Sequence, residues 1–255
     1  MKIISIVNNK GGVGKTTSAV NIAYYLSIKG LKTLLIDADP QGNATSYLLN
    51  ENKSTMGTFF DAYKKDSIKE FILETGRKNL YILPANMSLG KAEIEMLSII
   101  NKDSKMKKLL KQIENEFDIV VIDTAPNLSV LTINSLVASN SIYIPVKVGG
   151  FEFDGIRNVL EILEQIKEIN PEINANAFFT QFDGRNSLNK ELSKQIKNQI
   201  QTEFKCDFLN SYIRSNVKLQ ESILTNESIF EYDENSNGSI DYKNLAEEIL
   251  IKEGL

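Results

Sequence analysis

Ten residues, Asn8–Thr17 (NNKGGVGKTT), constrain this chain more than any other stretch. They follow Ile3–Val7, an apolar run with β-branched residues at four of five positions, which predicts a buried strand. They precede Ser18–Lys29, a mostly apolar segment without Gly or Pro, which predicts a packed helix. Strand, glycine loop, helix is the context in which a phosphate loop works. Gly11, Gly12 and Gly14 let the backbone turn tightly and approach an anion, with Val13 between them. The N–H groups of the loop and first helical turn, including Thr17, then point at a phosphate. Lys15 supplies charge near the β/γ-phosphates, and the Thr16 hydroxyl suits Mg²⁺.

A partner acid is expected, and two strand ends offer one. Asp118–Pro126 (DIVVIDTAP) is a four-residue apolar run ending in Asp123, a Walker B pattern that places a carboxylate beside Thr16. Thr33–Ile36 is a second apolar strand, followed by Asp37-Ala38-Asp39-Pro40-Gln41-Gly42-Asn43. Acids at the carboxyl ends of parallel strands stand where open α/β sheets bind ligands.

The first glycine of the common motif is missing: position 9 is Asn9, and a second lysine, Lys10, precedes the glycines. The pattern K-G-G-x-G-K-T-T resembles the deviant phosphate loop of the ParA/MinD family of dimeric ATPases, and D-x-D-P-Q-G-N resembles that family's switch region. The resemblance runs over nearly the whole chain. It implies a doubly wound, mostly parallel α/β sheet with flanking helices, residues 1–255 forming one P-loop ATPase domain. It implies that Lys10 reaches across an ATP-bound homodimer to the partner's phosphates. It implies that Asp39 positions the attacking water and helps organise the Mg²⁺ shell of Thr16 and Asp123. Tyr212–Tyr232 resembles the family's adenine-proximal loop and the helix after it. Asn216 is thereby the candidate for the adenine edge, and Arg214, Lys218 and Arg185 are candidates for DNA phosphates. One departure stands out: Gly149, in Lys147–Phe151, occupies the position where relatives carry a Glu.

The function implied is ATP-dependent plasmid or chromosome partition. ATP and Mg²⁺ would drive dimerisation and non-specific binding to duplex DNA, and a ParB-like centromere-binding protein would stimulate hydrolysis and release. A MinD-like membrane-cycling ATPase and a positioning factor for another cargo are the alternatives. The terminal segment LAEEILIKEGL has three Glu against one Lys, a poor match to anionic lipid. The expectation is therefore a cytoplasmic protein, nucleoid-associated when ATP-bound, with no membrane partner.

Composition narrows the rest. The absence of His and the single Cys206 exclude a disulfide within the chain and a cysteine metal cage built by it, and leave oxygen ligands for any metal. One cysteine is also too few for a cluster-bearing reductase. A net charge of −4 argues against a wholly basic nucleic-acid binder but allows a local basic patch.

Further signals are structural. Met56, Phe59, Phe60 and Tyr63 read as core at helical spacing. The five lysines of Lys102–Lys111 oppose an apolar stripe and read as a solvated face. Strands are expected at Leu80–Leu83, Ser141–Val146 and Ala175–Phe182. A helix through Ile156–Ile166 should stop before Pro171, and Leu188, Leu192, Ile196, Ile200 and Phe204 should line another. Asp233–Tyr242 imitates a calcium loop but has Asn244 where the bidentate Glu belongs, and reads instead as the approach to the last helix.

Overall fold

The computed structural model describes residues 1–49, 57–97, 102–149 and 153–255. Met56 and Phe151, named above, lie outside them. Eight strands among the described residues form one sheet: β1 (Lys2–Ile6), β2 (Thr33–Ala38), β3 (Leu73–Glu74), β4 (Leu80–Leu83), β5 (Ile119–Thr124), β6 (Ser141–Lys147), β7 (Asn174–Thr180) and β8 (Asp207–Phe208). Their order is β3-β4-β2-β5-β1-β6-β7-β8, and every pairing is parallel except β3 with β4.

The central strands are apolar on both sides because helices cover both faces. Alternate residues of β5 and β2 part company. Ile119, Val121 and Leu35 join Ile4 and Ile6 under α1 (Lys15–Ile28) and α11 (Asn237–Glu253). Val120, Ile122, Leu34 and Ile36 face the other way, against α3 (Phe59–Lys65), α5 (Lys105–Leu110) and α6 (Val130–Ala138). A third cluster packs β6 and β7 on α7 (Phe153–Ile166) and α8 (Ser187–Phe204). Each fully buried Ile or Leu contributes about 1.5–3 kcal/mol.

β1 crosses through α1 to β2 on one side, whereas β5 crosses through α6 to β6 on the other. The chain direction across the sheet therefore reverses around β1, and the crevice at the carboxyl ends of β1, β2 and β5 lies at this switch point.

Several elements differ from the sequence reading. The helix expected from Ser18 begins at Lys15, since the phosphate loop's last residues are its first turn. The region after Tyr63 leaves helix for a 3-10 turn at Lys69–Phe71 and the edge strand β3. Leu188 is exposed, while Ile196 and Ile200 carry the buried stripe of α8. Within the calcium-like segment, Asn237 and Gly238 already belong to α11, capped by the Ser236 hydroxyl. The lysines of α5 are tied down in part: Lys105 and Lys108 both meet Asp66.

Candidate functional site

The glycine loop is built as its composition demands. Gly12 (φ 72°) and Gly14 (φ 90°) are left-handed, a region where a side chain is strained, and Gly14 caps α1. Two side chains from the end of β7 brace the loop. Thr180 Oγ1 donates to the Val13 carbonyl at 2.8 Å, and Gln181 Nε2 donates to the Gly12 carbonyl at 2.7 Å. Asn8 fixes its entrance: Nδ2 donates to the Pro145 carbonyl and Oδ1 accepts the Lys10 N–H. Sequence reasoning gave Asn8 no role of its own within the loop and passed over Thr180 and Gln181, because a brace has no motif of its own.

Lys15 is buried, and its Nζ donates to the Lys10 carbonyl at 2.7 Å. Burial lowers its pKa, with the charges of Asp123 and Asp39 pulling the other way. Thr16 stands beside it at the start of α1. Parallel pairing puts Asp123 of β5 level with Asp37 of β2.

The two acids differ in how they are satisfied. Asp37 is fully buried but accepts from Thr45 N, Thr45 Oγ1 and Asp39 N. It anchors α2 (Asn43–Leu48), the helix after the loop that follows β2. Burial pushes its pKa up to about 6 against those hydrogen bonds. Asp123 is equally buried, yet neither carboxylate oxygen has a hydrogen-bond partner among the described residues. Its pKa rises well above the ordinary value, first through burial and then through the charge of Asp37. The Thr16 hydroxyl opposes this from a position short of hydrogen-bond geometry. A buried carboxylate in this condition is costly unless a cation completes it. Carboxylate and hydroxyl oxygens are the hard donors that Mg²⁺ prefers, so these residues fit that ion.

Asp39 directly follows β2, and its Oδ1 accepts the Gln41 N–H at 2.9 Å. Lys10 is half-buried, its stem lying over Gly155 of α7. From Gly12, Gly14 and Thr17 a cleft of about 320 Å³ runs on between Ile213, Leu219, Ile223 and Tyr242. That is the size and lining of a small-ligand site. Asn216 lines it and also caps α9 (Val217–Leu224), its Oδ1 accepting the Lys218 N–H.

The three basic candidates all carry internal partners. Arg185, 93% exposed at its side chain, pairs with Asp183, and Lys218 pairs with Glu221. Arg214 grips the buried Asp241 through Nε and an Nη at 2.7–3.1 Å. A bridge between Phe182 and Arg214 brings Arg185 and Arg214 to one concavity beside Tyr212. No helix among the described residues is long and apolar enough to cross a membrane.

The family model described as AAA domain matches residues 1–175. The chain is 34% identical over 255 residues to the chromosome-partitioning ATPase Soj of Treponema pallidum, covering 99% of this chain and 98% of that protein. A putative plasmid partition protein from Borrelia burgdorferi, solved bound to AMPPNP, superposes with a TM-score of 0.79 at 28% identity, covering 98% and 99% of the two chains. Cobyrinic acid a,c-diamide synthase from Mycobacterium smegmatis, solved with ADP and magnesium, shares the fold at a TM-score of 0.85 and 24% identity, over 100% and 97%.

Proposed function

Because this chain belongs to the AAA-domain family of Soj/ParA partitioning ATPases, we propose that it is a partition ATPase whose Mg-ATP-bound dimer holds DNA and lets go after hydrolysis. The observation that carries the nucleotide reading is Asp123, a buried carboxylate with two unsatisfied oxygens opposite the first turn of a phosphate-loop helix.

Each residue then has a task. The backbone of Gly11–Thr17 cradles the phosphates, and Lys15 neutralises the charge that builds up on the leaving oxygen. Thr16 and Asp123 would hold Mg²⁺, with Asp39 helping to organise its shell; the ion would offset the negative charge of the phosphates. Asp39 orients the attacking water. Lys10 serves the phosphates of the second subunit, so ATP would touch both chains and stabilise the pair. The base would enter the cleft beside Asn216. DNA would lie across the paired subunits near Arg185, Arg214 and Lys218, and a centromere-binding protein would speed turnover.

Mg-ATP turnover by the purified protein, with and without random duplex DNA and a centromere-binding partner, tests this reading. DNA and partner together should raise the rate. Lys15→Ala should lose ATP binding by calorimetry together with turnover. A Lys15→Ala protein that binds ATP as wild type does would overturn the site, and indifference to DNA would overturn the partition reading.

A further inference from the structure

Gly155 is the third residue of α7 and is not among the left-handed glycines. Glycine destabilises a helix relative to alanine, so a helical glycine with ordinary φ calls for a steric reason. Here the reason is the phosphate loop. A Cβ built on Gly155 would fall 2.8 Å from Cγ of Lys10, 3.2 Å from its Cδ and 3.0 Å from Asn8 Oδ1. The aliphatic stem of Lys10 therefore lies flat on bare helix backbone, in a place that no other residue type would leave open. Its main chain is pinned at the same spot. The Lys10 N–H is held by Asn8 Oδ1, and the Lys10 carbonyl accepts from Lys15 Nζ.

We propose that Gly155 is a positioning residue for Lys10: it forms a seat for the lysine stem in the single chain, and ATP-driven pairing draws the lysine out of that seat. The proposal rests on the reading that Lys10 works across the dimer. Its physical content is a competition. A seated lysine contacts its own α7, and an extended one contacts the other subunit. Whatever stabilises the first state subtracts from the second. Filling the seat should therefore favour pairing.

The test is a double-mutant cycle of wild type, Gly155→Ala, Lys10→Ala and the double variant. Thermal stability without nucleotide reads the seat directly. Gly155→Ala should lower Tm more in the presence of Lys10 than in the Lys10→Ala background, where the two Lys10 atoms that the new methyl meets are gone and only Asn8 Oδ1 remains. Equal losses in both backgrounds would overturn the seat. If Gly155→Ala does not fold, recovery of folding in the double variant supports the proposal and failure to recover overturns it. ATP-induced dimerisation by light scattering reads the function. Gly155→Ala should pair at severalfold lower protein concentration than wild type, with unchanged ATP affinity by calorimetry. The double variant should pair only as weakly as Lys10→Ala. Unchanged or weaker pairing of Gly155→Ala, with Lys10→Ala impaired, overturns the competition alone. Normal pairing by Lys10→Ala overturns the trans role on which it rests, and the stability cycle still reports whether the seat exists.

Discussion

Asp123 and Asp39 are both carboxylates beside Lys15, yet substitution should separate them. Asp123 is buried without a hydrogen-bond partner, so in the metal-free protein its ionised form is a liability. Both it and Asp37 have pKa values raised by burial, Asp37 to about 6. The folded chain therefore holds protons that the unfolded chain releases above about pH 4. Stability without Mg²⁺ should fall as pH rises from about 4 through 6 and beyond, since the folded state is then the one binding more protons. Asp123→Asn should flatten that slope and raise Tm at pH 7, by roughly 2–4 °C for each kcal/mol of charge burial relieved. It should also lose Mg-ATP turnover. Melting curves at pH 5 and 7 check the first claim, and an unchanged slope refutes it. Asp39 is a different case, because its Oδ1 already accepts from Gln41 and it stands outside the phosphate cradle. Asp39→Ala should retain ATP-induced dimers while turnover drops by about 10² or more. Retained turnover would remove Asp39 from the water-positioning role.

At the scale of elements, the loop after β2 and the cleft beside Asn216 are tied together by α2. Asp37 holds its first turn through Thr45, and Tyr47 on its far side hydrogen-bonds Ser222 of α9 at 3.0 Å. Arg77 reinforces the link. Its guanidinium donates to the carbonyl of Leu48, the last residue of α2, to the Asn226 carbonyl beyond α9, and to Glu231 of α10 (Ile229–Tyr232). Arg77→Ala leaves two carbonyls and a carboxylate without their donor. It should cost about 2–3 kcal/mol by denaturant unfolding and weaken nucleotide binding, because α9 lines the cleft. An Arg77→Ala protein as stable as wild type would show the ties to be incidental. Nothing in the sequence around Arg77 marks it, since its partners come from segments about 30 to 150 residues away. By contrast β1, β2, β4, β5, β6 and β7 were legible as apolar runs, because helices on both faces leave no polar side to interrupt them. β3 and β8 were not legible: two residues at a sheet edge carry no period. The glycine loop and the acids ending β2 and β5 stand out in the sequence for the opposite reason, since the phosphate chemistry proposed for them would fix residue type and spacing locally. The braces from Asn8, Thr180 and Gln181 were hidden because any polar side chain reaching a carbonyl can serve as one.

At the scale of the whole molecule, the question is whether an acidic chain can hold DNA. In a single subunit Arg185, Arg214 and Lys218 each face a carboxylate of the same chain, so their charge is largely offset. Pairing by ATP would bring two such sets together, and counterion release scales with the number of phosphates neutralised. About four to six contacts in the dimer predict a slope of log affinity against log salt near −4 to −5 with ATP, and weak binding without it. Arg185 is the better probe, because it is exposed and its ion pair is with Asp183, two residues away on the same turn. Arg185→Glu should weaken binding to random duplex about uniformly across sequences, and reduce the steepness of the salt slope, without touching ATP affinity. Arg214→Glu is a harsher change. It would set a carboxylate against the buried Asp241 at the edge of the nucleotide cleft, so its loss of DNA binding should come with a lower Tm. Anisotropy with random duplex over a salt series, with and without ATP, resolves these cases. Tight ATP-independent binding would detach DNA from the nucleotide cycle. No binding with ATP at low salt, alongside capture of a protein cargo or vesicles, would leave the ATPase intact and assign it a different track.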